Sequence, residues 1–324
     1  MLISIVLWLL AGLVVAAALI LFALMLATWR IAEKAERLVP ACGKFVEIGG
    51  NRIHYVEEGE GRPIIFLHGL GAQLHHFRHT LFGRFGAGYR LIALDRPGSG
   101  YSVRASSATG RLPEQAEILR RFIEELRLER PLIVGHSLGG SIALALATEH
   151  PAAISGIALL SPLTHMEARG HQGFDLLYVP SPLLRRVLAY TIAIPLSLRY
   201  AQPTMRFIFA PQTVPADYMI AGGGWLGLRP SHYFATSTDV VAVEQDLGRI
   251  ERRYGEMAMP VGILFGSADR VIGEPVHGEP MLDKIQGLDF ERIEGLGHMP
   301  QFVEHERVVA FIQRIAARAF AGVN

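Results

Sequence analysis

Six residues near the middle of the chain, Gly135-His136-Ser137-Leu138-Gly139-Gly140, restrict the fold more than any other stretch. They are entered from Pro131–Val134, a short aliphatic run with the character of a buried strand, and left through Ser141–His150, which reads as a helix. A strand that passes into a helix with no loop between them must turn at once. Such a turn forces its central residue, Ser137, into a strained conformation, and side chains two positions to either side would collide, hence Gly135 and Gly139. The serine hydroxyl is thereby raised above the end of the strand, beside the free N–H groups of a helix N-terminus, which favour negative charge.

The rest of the chain supplies the sheet that this turn needs. Phe45–Ile48 and Arg52–Val56, joined at Gly49-Gly50-Asn51, read as a β-hairpin. Pro63–Leu67, Arg90–Leu94, Ile157–Leu160 and Val261–Phe265 are short Ile, Leu and Val runs suited to strands buried on both faces, and Asp289–Ile293 is a further strand. Pro113–Glu129 has helical periodicity, with Ile118, Phe122 and Leu126 on one face. Alternation of this kind predicts an α/β fold, a mostly parallel central sheet flanked by helices. It is interrupted over 163–239 by prolines, an Ala221-Gly222-Gly223-Gly224 run and scattered aromatics, Phe174, Tyr178, Phe207, Phe209 and Trp225. We read 163–239 as a helical lid with a small core of its own, dividing the main unit into 44–162 and 240–324.

Residues 1–29 are of another kind. Met1–Thr28 has no charged residue, and 25 of its 28 positions are apolar. As a helix it would be roughly 42 Å long, more than the ~30 Å hydrocarbon core of a bilayer. A cleavable signal peptide has a basic start and an apolar core of only ~7–15 residues, so the expectation is an uncleaved single-pass transmembrane helix. Arg30, Lys34, Arg37 and Lys44 follow the span and only the α-amino group precedes it, which predicts a cytoplasmic catalytic domain. Residues 30–43 read as a short amphipathic linker ending at Pro40.

Composition removes other classes. Half of the residues are hydrophobic, which excludes a disordered chain, and 31 basic against 30 acidic residues leave no field for nucleic acid. A single cysteine, Cys42, excludes an intramolecular disulfide or a zinc ribbon. His75, His76 and His79 cluster in sequence without an acidic neighbour and are not read as a metal site. Phe77 beside them suits a pocket wall or the core equally. Arg185, Arg186, Arg199 and Arg206 outnumber the nearby acids and read first as a solvent-facing set, with a lid resting on anionic lipid as the alternative. Nothing marks an oligomer interface.

A serine hydroxyl needs a base and an orienting carboxylate to act as a nucleophile. Asp269, in Gly266-Ser267-Ala268-Asp269, falls just past the strand Val261–Phe265, and His298, in Gly295-Leu296-Gly297-His298-Met299-Pro300, lies in the loop after Asp289–Ile293. The order Ser137, Asp269, His298 is the one that this architecture uses, and parallel strands bring their carboxyl ends together. The strand Pro63–Leu67 ends in His68-Gly69-Leu70-Gly71. The backbone N–H groups of Leu70 and Leu138 are expected to form an oxyanion hole, with His68 structural in that loop.

Together with Asp95-Arg96-Pro97-Gly98-Ser99-Gly100-Tyr101-Ser102, these motifs resemble the α/β-hydrolase superfamily over about residues 44–318. The last stretch and the position of the lid are similar to the branch holding carbon–carbon bond hydrolases, epoxide hydrolases and haloalkane dehalogenases. The N-terminal span is similar to membrane-anchored monoacylglycerol lipases. Epoxide hydrolases and dehalogenases of this branch use an aspartate where this chain has Ser137, and epoxide hydrolases usually carry proline where it has Gly71. The resemblance implies a Ser-His-Asp serine hydrolase of lipophilic carboxylic esters, monoacylglycerol-like, with membrane lipid as its surroundings and no metal or organic cofactor. The alternatives are a carbon–carbon bond or amide hydrolase with the same triad, and a non-catalytic membrane interaction module.

Overall fold

The computed structural model describes residues 1–166 and 175–321. Eight strands, β1 Lys44–Ile48, β2 Asn51–Glu58, β3 Gly61–Leu67, β4 Gly88–Leu94, β5 Leu132–His136, β6 Gly156–Leu160, β7 Val261–Gly266 and β8 Asp289–Ile293, form one sheet. Their spatial order is β1-β2-β4-β3-β5-β6-β7-β8. The first two make the expected hairpin and β2 is antiparallel to β4, whereas every later pair is parallel. Successive side chains of the apolar runs go to opposite faces. Ile65, Leu67 and Ile133 enter one core, and Ile64, Phe66, Leu132 and Val134 the other. Two buried faces explain why these strands read as continuous runs, each buried side chain contributing about 1.5–3 kcal/mol.

The sequence opens with α1, Leu2–Leu38, a single 37-residue helix that takes in both the apolar run and most of the expected linker. It stops at Val39 because the residue before Pro40 is driven out of the helical region. Next come α2 His75–Leu81, α3 Leu112–Glu125 and α4 Leu138–Glu149. The amphipathic α3 ends four residues earlier than its periodicity suggested, where Arg127 turns at φ +50° and Leu128 N–H bonds back to Ile123 O. Its buried face centres on Leu119 and Phe122, with Ile118 and Leu126 at the margin. By contrast α4 begins three residues earlier than expected, directly after Ser137. On the opposite face, Phe77 of α2 and Phe311, Ile312 and Ile315 of the C-terminal helix His305–Ala321 close the second core. Phe77 is fully buried against Phe66, so it is a core residue.

Between β6 and β7 the chain leaves the sheet and forms α5 Pro182–Tyr190, α6 Ala193–Phe209 and α7 Pro230–Val243. Residues 167–174, with Phe174, lie outside the described residues. The insertion has a small core of Ala189, Ala193, Ile194, Leu228 and Tyr233, closed at its border by α1, and a second cluster shared with the sheet unit. Ala189, Ile194, Leu228 and Tyr233 pack with Ile31 of α1, while Phe209 and Tyr218 pack with Met299 and Phe302, just past β8.

Candidate active site

Strand β5 is central, and its register puts Gly135 beside Leu67 and His136 beside Leu160. The next residue, Ser137, sits at φ +53° and ψ −121°, a conformation worth about 1–3 kcal/mol of strain that its surroundings must hold. Three hydrogen bonds hold it. Ser137 N–H donates to Leu160 O (3.1 Å), and Ser137 O accepts from Gly140 N–H (2.9 Å) and Leu163 N–H (3.2 Å). The flanking glycines are required by contact. A Cβ on Gly135 would lie 2.6 Å from Gly139 O, one on Gly139 would overlap Leu67 O, and one on Gly140 would lie 2.6 Å from the Pro162 ring. Because α4 starts at Leu138, the Leu138 N–H belongs to the first helical turn, where no intrahelical acceptor exists.

The other two expected residues meet. His298 Nδ1 lies 2.8 Å from Asp269 Oδ2, and both side chains are almost wholly buried. A carboxylate only accepts, so Nδ1 carries the proton and Nε2 is left as the free basic nitrogen. The second oxygen of Asp269 accepts from the N–H groups of Val271 (2.8 Å) and Ile272 (2.9 Å), which fixes the carboxylate at the end of β7. Asp269 is thus a turn residue and an orienting carboxylate at once. The neighbour of the serine, His136, had no expected role. Its Nε2 bonds to His298 O (2.9 Å) and its ring lies 4.8 Å from that of His298, so it ties the histidine loop to the serine turn. Burial, followed by the nearby His298, keeps His136 neutral with its pKa well below the usual value.

The loop after β3 crosses the serine closely, since a Cβ on Gly69 would stand 2.9 Å from Ser137 Cβ. This brings Leu70 to the same end of the sheet as Leu138. Arg96 holds the loop from behind. Fully buried, it donates through Nε to His68 O (3.0 Å), through Nη2 to Gly69 O (3.0 Å), and through Nη1 to Gln115 (2.9 Å) and to Asp239 of α7 (2.6 Å). Turning the carbonyls of His68 and Gly69 toward Arg96 turns the following N–H groups the opposite way. His68 is structural as expected, its Nε2 accepting from Arg96 N–H (2.9 Å) and its Nδ1 bonded to Gly69 O (2.9 Å). In the sequence Arg96 stands out only as part of its motif, and nothing near it in the chain points to Asp239.

The insertion grips both loops. Gln212 donates to Gly295 O (2.8 Å) and accepts from Gly297 N–H (2.9 Å), while Gln73 donates to Gly222 O (2.7 Å). Ser137 is 7% and His298 5% exposed, so this arrangement is closed to a bulky substrate. The clustered histidines part company. His75 contacts Cys42, His76 meets Tyr218, and His79 lies 2.8 Å from Asp217, an acidic partner distant in sequence. Among the described residues no group of three or more His, Cys, Asp or Glu side chains is arranged to hold a metal ion. Arg185 is not solvent-facing. It is buried, bonding Val179 O, Ser237 and Thr238.

Comparison with known proteins agrees with this architecture. A family model described as alpha/beta hydrolase fold matches residues 62–186. A 2-hydroxy-6-oxononadienedioate/2-hydroxy-6-oxononatrienedioate hydrolase of Paraburkholderia phymatum is 25% identical over 82% of this chain and 93% of its own length. The dihydrolipoyllysine-residue acetyltransferase component of the acetoin cleaving system of Cupriavidus necator is 33% identical over 40% of this chain, and the match spans only 35% of that protein. Among solved structures, a bacterial membrane phospholipase A superposes with a TM-score of 0.68 at 24% identity, covering 98% of both chains.

Proposed function

We propose, from the premise that this chain is a member of the α/β-hydrolase fold superfamily, that it is a membrane-anchored serine hydrolase cleaving carboxylic esters of lipophilic substrates, monoacylglycerol-like in kind. The observation that carries this reading is the Asp269–His298 contact at 2.8 Å, beside a serine held at positive φ at the head of α4. In the proposed reaction Ser137 Oγ attacks the ester carbonyl while His298 Nε2 takes its proton, and Asp269 stabilises the imidazolium. The N–H groups of Leu70 and Leu138 receive the oxyanion, a role in which losing one donor typically costs ~10²–10³ in rate. His298 then protonates the leaving alcohol, and water attacks the acyl-serine through the same base.

Insertion 163–239 is read here as the lid, and its opening is needed for a lipid to reach a site this buried. For α1 the reading is an uncleaved anchor. Thr28 donates to Thr191 O (2.7 Å), Ile31 packs against the insertion, Lys34 lies over the Trp225 ring (4.7 Å), and Arg229 bonds Glu36 (2.8 Å), so the helix is built into the fold beyond its apolar run. Arg96, the buried cation against the loop after β3, is paired with the Asp239 carboxylate and is not free for a substrate carboxylate. That favours a neutral ester over the dicarboxylate named for the Paraburkholderia relative.

The test is labelling of the full-length protein in membranes with a fluorophosphonate probe. Labelling of wild type that is abolished in Ser137→Ala is the expected result, followed by turnover of long-chain monoacyl esters in preference to a vinylogous diketone. A folded wild-type protein that takes no label with the lid opened by detergent would overturn the reading and leave a non-catalytic membrane module.

A further inference from the structure

We propose that the outer face of α5 and α6 lies in the membrane surface and docks on anionic phospholipid. This rests on the reading of α1 as a membrane span. The pattern of α5 is inverted for a helix on a water-soluble surface: Arg185 and Ala189 point inward, while Leu183, Val187 and Tyr190 are exposed. The face continues through Ile192 into Leu196 and Tyr200 of α6. An exposed apolar patch of this extent marks an interaction site.

The anchor itself identifies what covers the patch. All of Leu2–Ala23 is exposed, and Leu24 is the first residue of α1 to lose exposure. Leu2–Ala23 is 22 residues, and as a helix roughly 33 Å long, close to the ~30 Å of a hydrocarbon core. One turn further on, Thr28 is fixed to Thr191 O, in the junction between α5 and α6. The junction is therefore held where hydrocarbon gives way to headgroups, and Trp29, Tyr190 and Tyr200 are exposed around it, as interfacial aromatics are.

Charge selects the lipid. From Leu176 to Ala216 there is no Asp or Glu, and the charged residues are four arginines. One of them, Arg185, is buried, while Arg186, Arg199 and Arg206 are exposed among the apolar side chains. Cations set in an apolar face suit a phosphodiester surface at an anionic leaflet. Docking would also put the lid at the bilayer, so a lipid reaching Ser137 need not cross water.

The experiment places an environment-sensitive fluorophore at single cysteines in the full chain carrying Cys42→Ser. The positions are Leu183→Cys, Tyr190→Cys and Leu196→Cys, with Leu13→Cys as the hydrocarbon reference and Glu129→Cys as the water reference. Each protein is reconstituted in phosphatidylcholine vesicles with or without phosphatidylglycerol, and lipids carrying a shallow spin-label quencher are added. The expected result is quenching at 183, 190 and 196 severalfold stronger than at 129, increased by phosphatidylglycerol and reduced by Arg199→Glu with Arg206→Glu. Water-like signals at the three positions while position 13 is in lipid would overturn the docking face and leave the anchor standing. Dry but unquenched signals would also overturn it, showing that a second copy of the chain covers the face. If position 13 too escapes lipid, the anchor and the docking face fall together.

Discussion

At the scale of single residues the candidate site depends on atoms that are missing as much as on those present. Gly139 passes so near Leu67 O and His68 O that no side chain fits. Gly139→Ala must therefore push the loop after β3 away from the serine, at about 1–3 kcal/mol in stability. The expected outcome is loss of fluorophosphonate labelling with the far-ultraviolet circular dichroism spectrum retained. Arg96 acts from a distance, through the carbonyls of His68 and Gly69. Arg96→Lys keeps the charge facing Asp239 but cannot hold two carbonyls and a carboxylate together. We expect kcat to fall about 10- to 100-fold with KM nearly unchanged, since a misplaced oxyanion donor is felt in the transition state. An equal rise in KM would instead assign Arg96 to substrate binding. His136 and Arg96 illustrate why part of the site was not legible in sequence. Their partners, His298 O and Asp239, are 162 and 143 residues away, and no local spacing announces such pairs. Ser137 and Asp269 were legible because each follows a strand that its own apolar run defines, whereas β8, Asp-Phe-Glu-Arg-Ile, is no such run and His298 stood out by its Gly-Leu-Gly-His loop.

At the scale of elements the sheet was legible for a related reason. In β3, β5, β6 and β7 both faces are buried, so hydrophobicity alone marks them, and strand ends fall within a residue or two of the expected positions. Helix limits were less so, because a helix stops where the backbone finds other partners. The insertion was least legible, since its small core draws on residues far apart in the insertion, Ala189 and Ile194 with Leu228 and Tyr233, and its other apolar residues answer to α1, to the loop after β8 and, on the proposal above, to lipid. The contact between α1 and the insertion can be probed directly. Ala35 is fully buried and stands between Lys34, which lies over Trp225, and Glu36, which pairs with Arg229, so a larger side chain has little room at van der Waals density. Ala35→Leu should overpack the seam, at about 1–3 kcal/mol. The expected readout is faster limited proteolysis within 175–239 while the sheet remains protected. Unchanged cleavage rates would mean that α1 does not brace the insertion.

At the scale of the whole molecule, burial of imidazoles is expected to set the acid limit. Burial pushes His76 down to about 3, and His75 and His232 down to about 4. His68 and His136, fully enclosed, are also held well below their usual value by burial. In the unfolded chain each would titrate near 6.5. Between pH 6.5 and 4 the unfolded state therefore binds protons that the native state refuses. Stability is complete above about pH 6.5 and is lost as pH falls toward the folded values, by up to about 1.4 kcal/mol per pH unit for each such histidine. Glu274, raised by its own burial, works the other way, since protonation relieves it. The ion-paired Glu117, held down at about 2 mainly by its bond from Arg120, adds to the acid loss only once the pH enters the carboxylate range. The early part of acid unfolding is thus assigned to histidine. His76 is the one to remove, because its Nδ1 has no partner among the described residues and its ring packs edge-on against Phe302, 5.1 Å between centroids. His76→Phe keeps that packing and deletes one proton site. Urea midpoints of the detergent-solubilised protein should fall steeply from pH 6.5 to 4.5 in wild type, and less steeply in His76→Phe. Parallel slopes in the two proteins would show that the acid limit lies elsewhere.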